Sequence, residues 1–185
     1  TYGEAIVWYG TSITQGGCAS RPGMAHTNIL SRWLGREIIN MGFSGNGQLD
    51  LELADLIADY PASLFIIDCM PNVNADIVHD RLKCFYQTIR VKNKQTPILF
   101  ISNPEFPSLS YESSLQNDVK LKNSALLEVF NEIKAKDEQV YFLSASQFLG
   151  EDGEATVDGI HFTDLGFMRC AEQMFPILKD LVNEK

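Results

Sequence analysis

A serine, an aspartate and a histidine stand where they could act together on one carbonyl carbon. Near the start, the apolar run Ala5 to Tyr9 breaks into Gly10 Thr11 Ser12 Ile13 Thr14 Gln15 Gly16, and near the end sits Asp158 Gly159 Ile160 His161. A serine hydroxyl is a weak nucleophile at neutral pH. It needs an imidazole to take its proton and a carboxylate to hold that imidazole in one tautomer. Ser12, His161 and Asp158 are the right types for these three parts. A glycine turn after a buried strand also lifts Ser12 out at the strand's carboxyl end, where open α/β sheets place ligands.

Positioning residues so far apart in sequence falls to the elements between them. Short apolar runs at Ala5–Tyr9, Glu37–Met41, Leu64–Cys69, Pro97–Ser102 and Val140–Leu143 read as buried strands. Between and after them, residues 23–34, 49–59, 75–91, 113–136 and 164–182 carry apolar side chains at helical spacing. The repeating βα pattern predicts a three-layer α/β/α fold with a five-stranded parallel sheet, flavodoxin-like in the order 2-1-3-4-5. The active edge is then formed by the loops 10–22, 42–48, 70–74 and 103–111, with 144–163 approaching from the last strand.

Length and charge narrow the function classes. The 185 residues, 45% of them hydrophobic, suit one domain spanning 1–185 with a substantial core. With 15 Lys and Arg against 24 Asp and Glu, the net charge of −9 argues against a surface that must neutralise phosphates, so no nucleic-acid partner is expected. No apolar stretch approaches the roughly 20 residues of a membrane span. The chain lacks an initiator Met, the pattern of a mature or excised domain, and the compartment cannot be read from its residues.

Two further loops carry more polar and glycine residues than a connector requires. Asn40 Met41 Gly42 Phe43 Ser44 Gly45 Asn46 Gly47 follows the second strand, and its three glycines bring backbone N–H groups close to a ligand, as stabilising an oxyanion needs. A loop that merely requires positive φ is the alternative. Met70 Pro71 Asn72 Val73 Asn74 follows the third strand and sets the Asn72 amide at the same edge. Taken alone, Asn72 also suits a helix N-cap.

From Tyr9 to Phe167 these four segments resemble the SGNH, or GDSL-like, hydrolase superfamily. The resemblance implies that Ser12 is the nucleophile, His161 the general base and Asp158 its orienting carboxylate. The Ser12 and Gly45 amides and the Asn72 side chain would form the oxyanion hole. It further implies hydrolysis of short acyl esters, acetyl above all, on a small-molecule or carbohydrate substrate, through an acyl-enzyme and with neither metal nor organic cofactor. A lysophospholipase or thioesterase, or a non-catalytic binding module on the same fold, are the alternatives. Two departures stand out: Thr11 occupies the usual Asp position before Ser12, and Val73 replaces the acid that commonly follows the Asn. The version Asp68 Cys69 Met70 Pro71 Asn72 resembles a branch of bacterial, often carbohydrate-directed, esterases. By resemblance alone, an exported or periplasmic setting and a flanking domain in the full-length chain are favoured.

The remaining reactive residues have plainer readings. In the loop Asn103 to Tyr111, Phe106 and Tyr111 are candidates for a substrate wall, with packing back on the domain as the alternative. Asp76, His79 and Asp80 share a helix spacing that superficially suits a metal, but acids near a helix start usually favour its dipole. His26 reads as a helix-face residue near the pocket rim. Trp8, Trp33, Phe65, Phe85 and Phe100 read as core, and the four cysteines as mostly buried free thiols.

Overall fold

The structure, a computed structural model, describes residues 3–106 and 113–183. Five parallel strands form one sheet: β1 Ala5–Gly10, β2 Ile38–Gly42, β3 Ala62–Asp68, β4 Ile98–Ile101 and β5 Val140–Leu143, in the order β2-β1-β3-β4-β5. The helices are α1 Ser12–Gln15, α2 His26–Leu34, α3 Leu51–Ala58, α4 Ala75–Lys92, α5 Ser113–Lys134 and α6 Asp164–Asn183, with 3₁₀ turns at Pro22–Met24 and Met70–Asn72.

Strand side chains alternate between faces, and each face has its own helices. Val7, Tyr9, Phe65, Ile67, Ile98 and Phe100 point toward α3, α4 and α5. Ile6, Trp8, Leu64, Ile66, Leu99 and Ile101 point toward α2 and α6. Both faces of the central strands are therefore dry, which is why they read as continuous apolar runs rather than alternating ones. The result is the three-layer α/β/α arrangement that the sequence pattern predicts.

Strand order sets the location of the site. The chain moves outward from β1 to β2 and then returns past β1 to β3, so the sheet reverses direction of growth between the loops that follow β1 and β3. Crevices at such reversals are where open α/β sheets bind ligands. Ser12 follows β1 and Asn72 follows β3, and the register pairs Gly10 with Asp68 and with Gly42 at the strand ends.

Several readings are corrected. β3 runs from Ala62 to Asp68 rather than from Leu64 to Cys69. Ser12 to Gln15 forms a helix, not a loop, because one turn is too short to show a period. Trp33 is 41% exposed, its ring edge-on to Phe175, on the outer side of α2. Cys18 and Cys84 are exposed; Cys69 and Cys170 are buried, and all four are free thiols.

Candidate active site

Local hydrogen bonding holds Ser12 at the start of α1. Thr11 is the N-cap: its Oγ1 accepts from Ile13 N at 3.2 Å, and Thr14 Oγ1 accepts from Thr11 N at 3.2 Å. This reciprocal cap satisfies two N–H groups that a helix start would otherwise leave unpaired. Among the described residues the Ser12 N–H has no such partner. Gly16, at φ +91°, ends the turn in a left-handed conformation that a glycine adopts without strain. The turn also sits hard against the sheet, since a Cβ on Gly10 would lie 1.9 Å from Thr14 Oγ1.

His161 reaches Ser12 from 149 residues away in the chain: its Nε2 lies 2.9 Å from Ser12 Oγ. On the other side of the ring, Nδ1 lies 2.7 Å from Asp158 Oδ2. Asp158 Oδ1 accepts from Ile160 N at 3.0 Å and from His161 N at 2.7 Å. Gly159 at φ +91° closes this tight turn. These bonds favour the carboxylate and pull the Asp158 pKa down to about 2, the side-chain bond to His161 contributing most. An ionised carboxylate only accepts, so Nδ1 must carry the ring proton, which leaves the lone pair of a neutral imidazole at Nε2, facing the hydroxyl. Phe162, fully buried behind His161, and the Ser20 contacts to Asp164, 2.9 Å from N to Oδ1, anchor the last loop to the first.

The second and third loops close on the same point. Phe43 N donates to Gly10 O at 3.0 Å, and a Cβ on Gly47 would lie 2.5 Å from that same oxygen. Gly47 N donates to Asn72 Oδ1 at 3.2 Å, which turns the Asn72 Nδ2 donor the other way. Gly45 sits at φ +70°, exposed, its N–H unpaired among the described residues. Leu49 secures the far end of the loop: it is buried at φ +61°, and its N–H donates to Tyr9 Oη at 2.9 Å. The N-cap of α4 is Asn74, whose Oδ1 accepts from Ile77 N at 2.9 Å, so Asn72 is left out of the capping role that it alone would also suit.

With this geometry in hand, comparison with known proteins assigns the chain. Residues 3–179 match the model of the GDSL-like lipase/acylhydrolase family. The chain belongs to that family. Among solved structures it is similar to a protein from Bacteroides ovatus ATCC 8483 assigned as a GDSL-like lipase, with 40% identity and a TM-score of 0.94 over 100% of this chain and 55% of that one. It also resembles a salicylyl-acyltransferase from a tetracycline biosynthetic pathway, at 20% identity and TM-score 0.83, covering 100% of this chain and 56% of that one. A family two carbohydrate esterase from Clostridium thermocellum, in complex with cellohexaose, matches at 18% identity and TM-score 0.73 over 97% of this chain and 64% of that one. The chain thus spans little more than half the length of the first two of these proteins. Among curated proteins, none matches it by sequence.

In this GDSL-like domain Phe106, His79 and His26 take no part in the hydrogen bonds that join Ser12, His161 and Asp158. Phe106 is buried and lines a cleft of about 620 Å³ with Glu105, Gln116, Lys120, Asn123 and Glu151, a cleft to which neither Ser12 nor His161 contributes. Tyr111 falls outside the described residues. His79 Nε2 lies 3.8 Å from Glu128 Oε2 of α5. His26 is not on the rim but in the core, between the rings of Trp8 and Phe167, and burial pushes its pKa down to about 3. No helix among the described residues is long and apolar enough to cross a membrane.

Sequence reasoning passed over three supports of the site. Asp68 Oδ2 accepts from Trp8 Nε1 and from Thr14 Oγ1, each at 3.1 Å. Asn40 Nδ2 donates to Thr14 O at 2.7 Å and to Thr27 Oγ1 at 3.0 Å, joining β2 to α1 and α2. A polar residue at the end of β3 and another in the middle of β2, in otherwise apolar strands, were the available signal for Asp68 and Asn40. Gly47, grouped with Gly42 and Gly45 as bringing backbone close to a ligand, is required instead by its approach to Gly10.

Proposed function

We propose that the protein is a serine esterase that removes short acyl groups, acetyl first among them, from hydroxylated substrates such as carbohydrates. The observation that carries this reading is the continuous hydrogen-bonded line from Ser12 Oγ through His161 to Asp158. A hydroxyl, a neutral imidazole nitrogen and an ionised carboxylate in that order make a nucleophile with its base and its orienter.

In this reading His161 Nε2 takes the Ser12 proton as Oγ bonds to the ester carbonyl carbon. The carbonyl π pair moves onto oxygen, and the Ser12 and Gly45 N–H groups with Asn72 Nδ2 stabilise the resulting oxyanion. The intermediate collapses, the alcohol oxygen leaves with the proton from His161, and Ser12 is left acylated. Water then attacks the acyl-enzyme, giving its proton to His161, and the carboxylic acid departs as Ser12 recovers that proton. Asp158 stays ionised throughout and stabilises the imidazolium in each half.

Substrate size is the less constrained part. Ser12 and His161 are part-buried at the carboxyl edge of the sheet, and a small acyl group on a large alcohol is the proposed substrate. The acidic surface, net −9, suits a neutral substrate. An acyl series of p-nitrophenyl esters, with acetylated oligosaccharides alongside, tests this: kcat/KM falling steeply beyond butyrate supports it, and a preference for long chains overturns it.

A further inference from the structure

Beneath the turn that carries Ser12 lies a carboxylate for which the proposed reaction has no use. Asp68 is the last residue of β3, in register with Gly10, and its Oδ2 receives both the indole N–H of Trp8 from β1 and the hydroxyl of Thr14 from α1. Thr14 Oγ1 in turn accepts the N–H of Thr11, the residue before Ser12. Trp8 and Thr14 are fully buried, so neither donor has water as a substitute partner. The Thr14 bond links β3 to the nucleophile turn, and the Trp8 bond from β1 steadies the oxygen that accepts it.

We infer that Asp68 is a positioning residue for Ser12: its carboxylate pins Thr14, and through Thr14 and Thr11 it sets the direction of the Ser12 hydroxyl and N–H. The inference rests on the reading of Ser12 as nucleophile. A charged acceptor holds a hydroxyl more firmly than a neutral one, and small misplacements of a reacting group cost large factors in rate. The titratable groups facing Asp68 place no charge beside it. His26 of α2 lines the same cavity, about 10 Å³ or roughly one water in size, and burial keeps its ring neutral. The thiols of Cys69 beside it and Cys170 of α6 are pushed up by burial and by Asp68 itself. Burial also pushes the Asp68 carboxyl up, to about 7, against the pull of its two hydrogen bonds.

The test has a readout independent of turnover. The chain has two tryptophans, Trp8 bonded to Asp68 and Trp33 exposed, so the ¹H–¹⁵N indole signals separate the site from an internal control. The Trp8 signal should shift in Asp68→Ala, which removes its acceptor, while that of Trp33 stays still, and Asp68→Asn should bring it most of the way back. Assayed well below its melting temperature, Asp68→Ala should lower kcat by about 10²-fold with KM unchanged. Asp68→Asn, whose amide oxygen still accepts, should recover most of that loss. Thr14→Val should match Asp68→Ala, and the double variant should lose no more than the worse single one, because both cut one link. A Trp8 signal unmoved by Asp68→Ala, strictly additive losses, or an Asp68→Ala enzyme with normal kcat would overturn the positioning role. Should Ser12→Ala turn over normally, the nucleophile reading falls and takes this role with it. If Ser12→Ala is inactive and Asp68→Ala is normal, the positioning role alone falls.

Discussion

Asn72 Oδ1 accepts the backbone N–H of Gly47 at 3.2 Å, so the third loop is oriented by the second. That bond commits Oδ1 to Gly47 and so decides which way the Nδ2 donor turns, a choice that a free amide would make either way. Asn72→Ala should therefore lower kcat by about 10²–10³-fold with little change in KM, the cost of one preorganised oxyanion donor. Asn74→Ala is the matched control. It removes the true cap of α4, costs about 1 kcal/mol of stability in urea unfolding, and leaves kcat/KM where it was.

The two glycines of the second loop should separate by mechanism. A Cβ on Gly45 meets nothing within 4 Å, so Gly45→Ala carries only the strain of φ +70°, about 1–2 kcal/mol, and keeps the N–H in place. A Cβ on Gly47 would sit 2.5 Å from Gly10 O and 3.5 Å from Asn72 Oδ1. Gly47→Ala must push the loop away from both, and steady-state kinetics should show the larger fall in kcat for Gly47, whichever variant melts lower.

Asp158→Asn should keep the fold and lose about 10⁴-fold in kcat, since an amide can favour the wrong imidazole tautomer and cannot stabilise the imidazolium. Unchanged turnover in Asp158→Asn would remove the triad from the account.

Stability should respond to pH in opposite directions through two aspartates. Asp158 drops from 3.8 to about 2 on folding, so between those values the unfolded chain holds more protons; its contribution is complete above 3.8 and is lost as pH falls through about 2. Asp164, held down by its bonds from Ser20, adds in the same direction. Asp68 rises from 3.8 to about 7, so its folded form keeps a proton that the unfolded chain has lost, and stability declines as pH rises through that window. Calorimetry should find Asp68→Asn more stable than the parent above about pH 7 and no more stable near pH 4. The carboxylate is thus held at a cost to stability.

The sheet order, and the two segments that carry Ser12 and the Asp158–His161 pair, were legible before the structure because each rests on a local pattern: short apolar runs separated by helical spacing, a glycine turn after a strand, a compact Asp-x-x-His. What escaped depends on register between distant strands. Nothing near Asp68 in sequence says that Gly10 is its partner on β1, so its bonds to Trp8 and Thr14 were invisible. Asn72 and Asn74 are two residues apart with the same side chain, and only the 3₁₀ turn at Met70–Asn72 decides which of them caps α4. His26 and Trp33 lie on one short helix whose phase relative to the core is set by packing against α6, which placed the histidine inside and the indole outside.

The central claim, that Ser12 carries the acyl group, is tested most directly by trapping it. The protein is treated with a p-nitrophenyl phosphonate, which transfers its phosphonyl group to an activated serine, and is then digested and mapped by mass spectrometry. The account predicts one phosphonyl group per chain on Ser12, its formation suppressed in His161→Ala and absent in Ser12→Ala together with ester hydrolysis. Labelling of a different residue, or undiminished hydrolysis by Ser12→Ala, would contradict it.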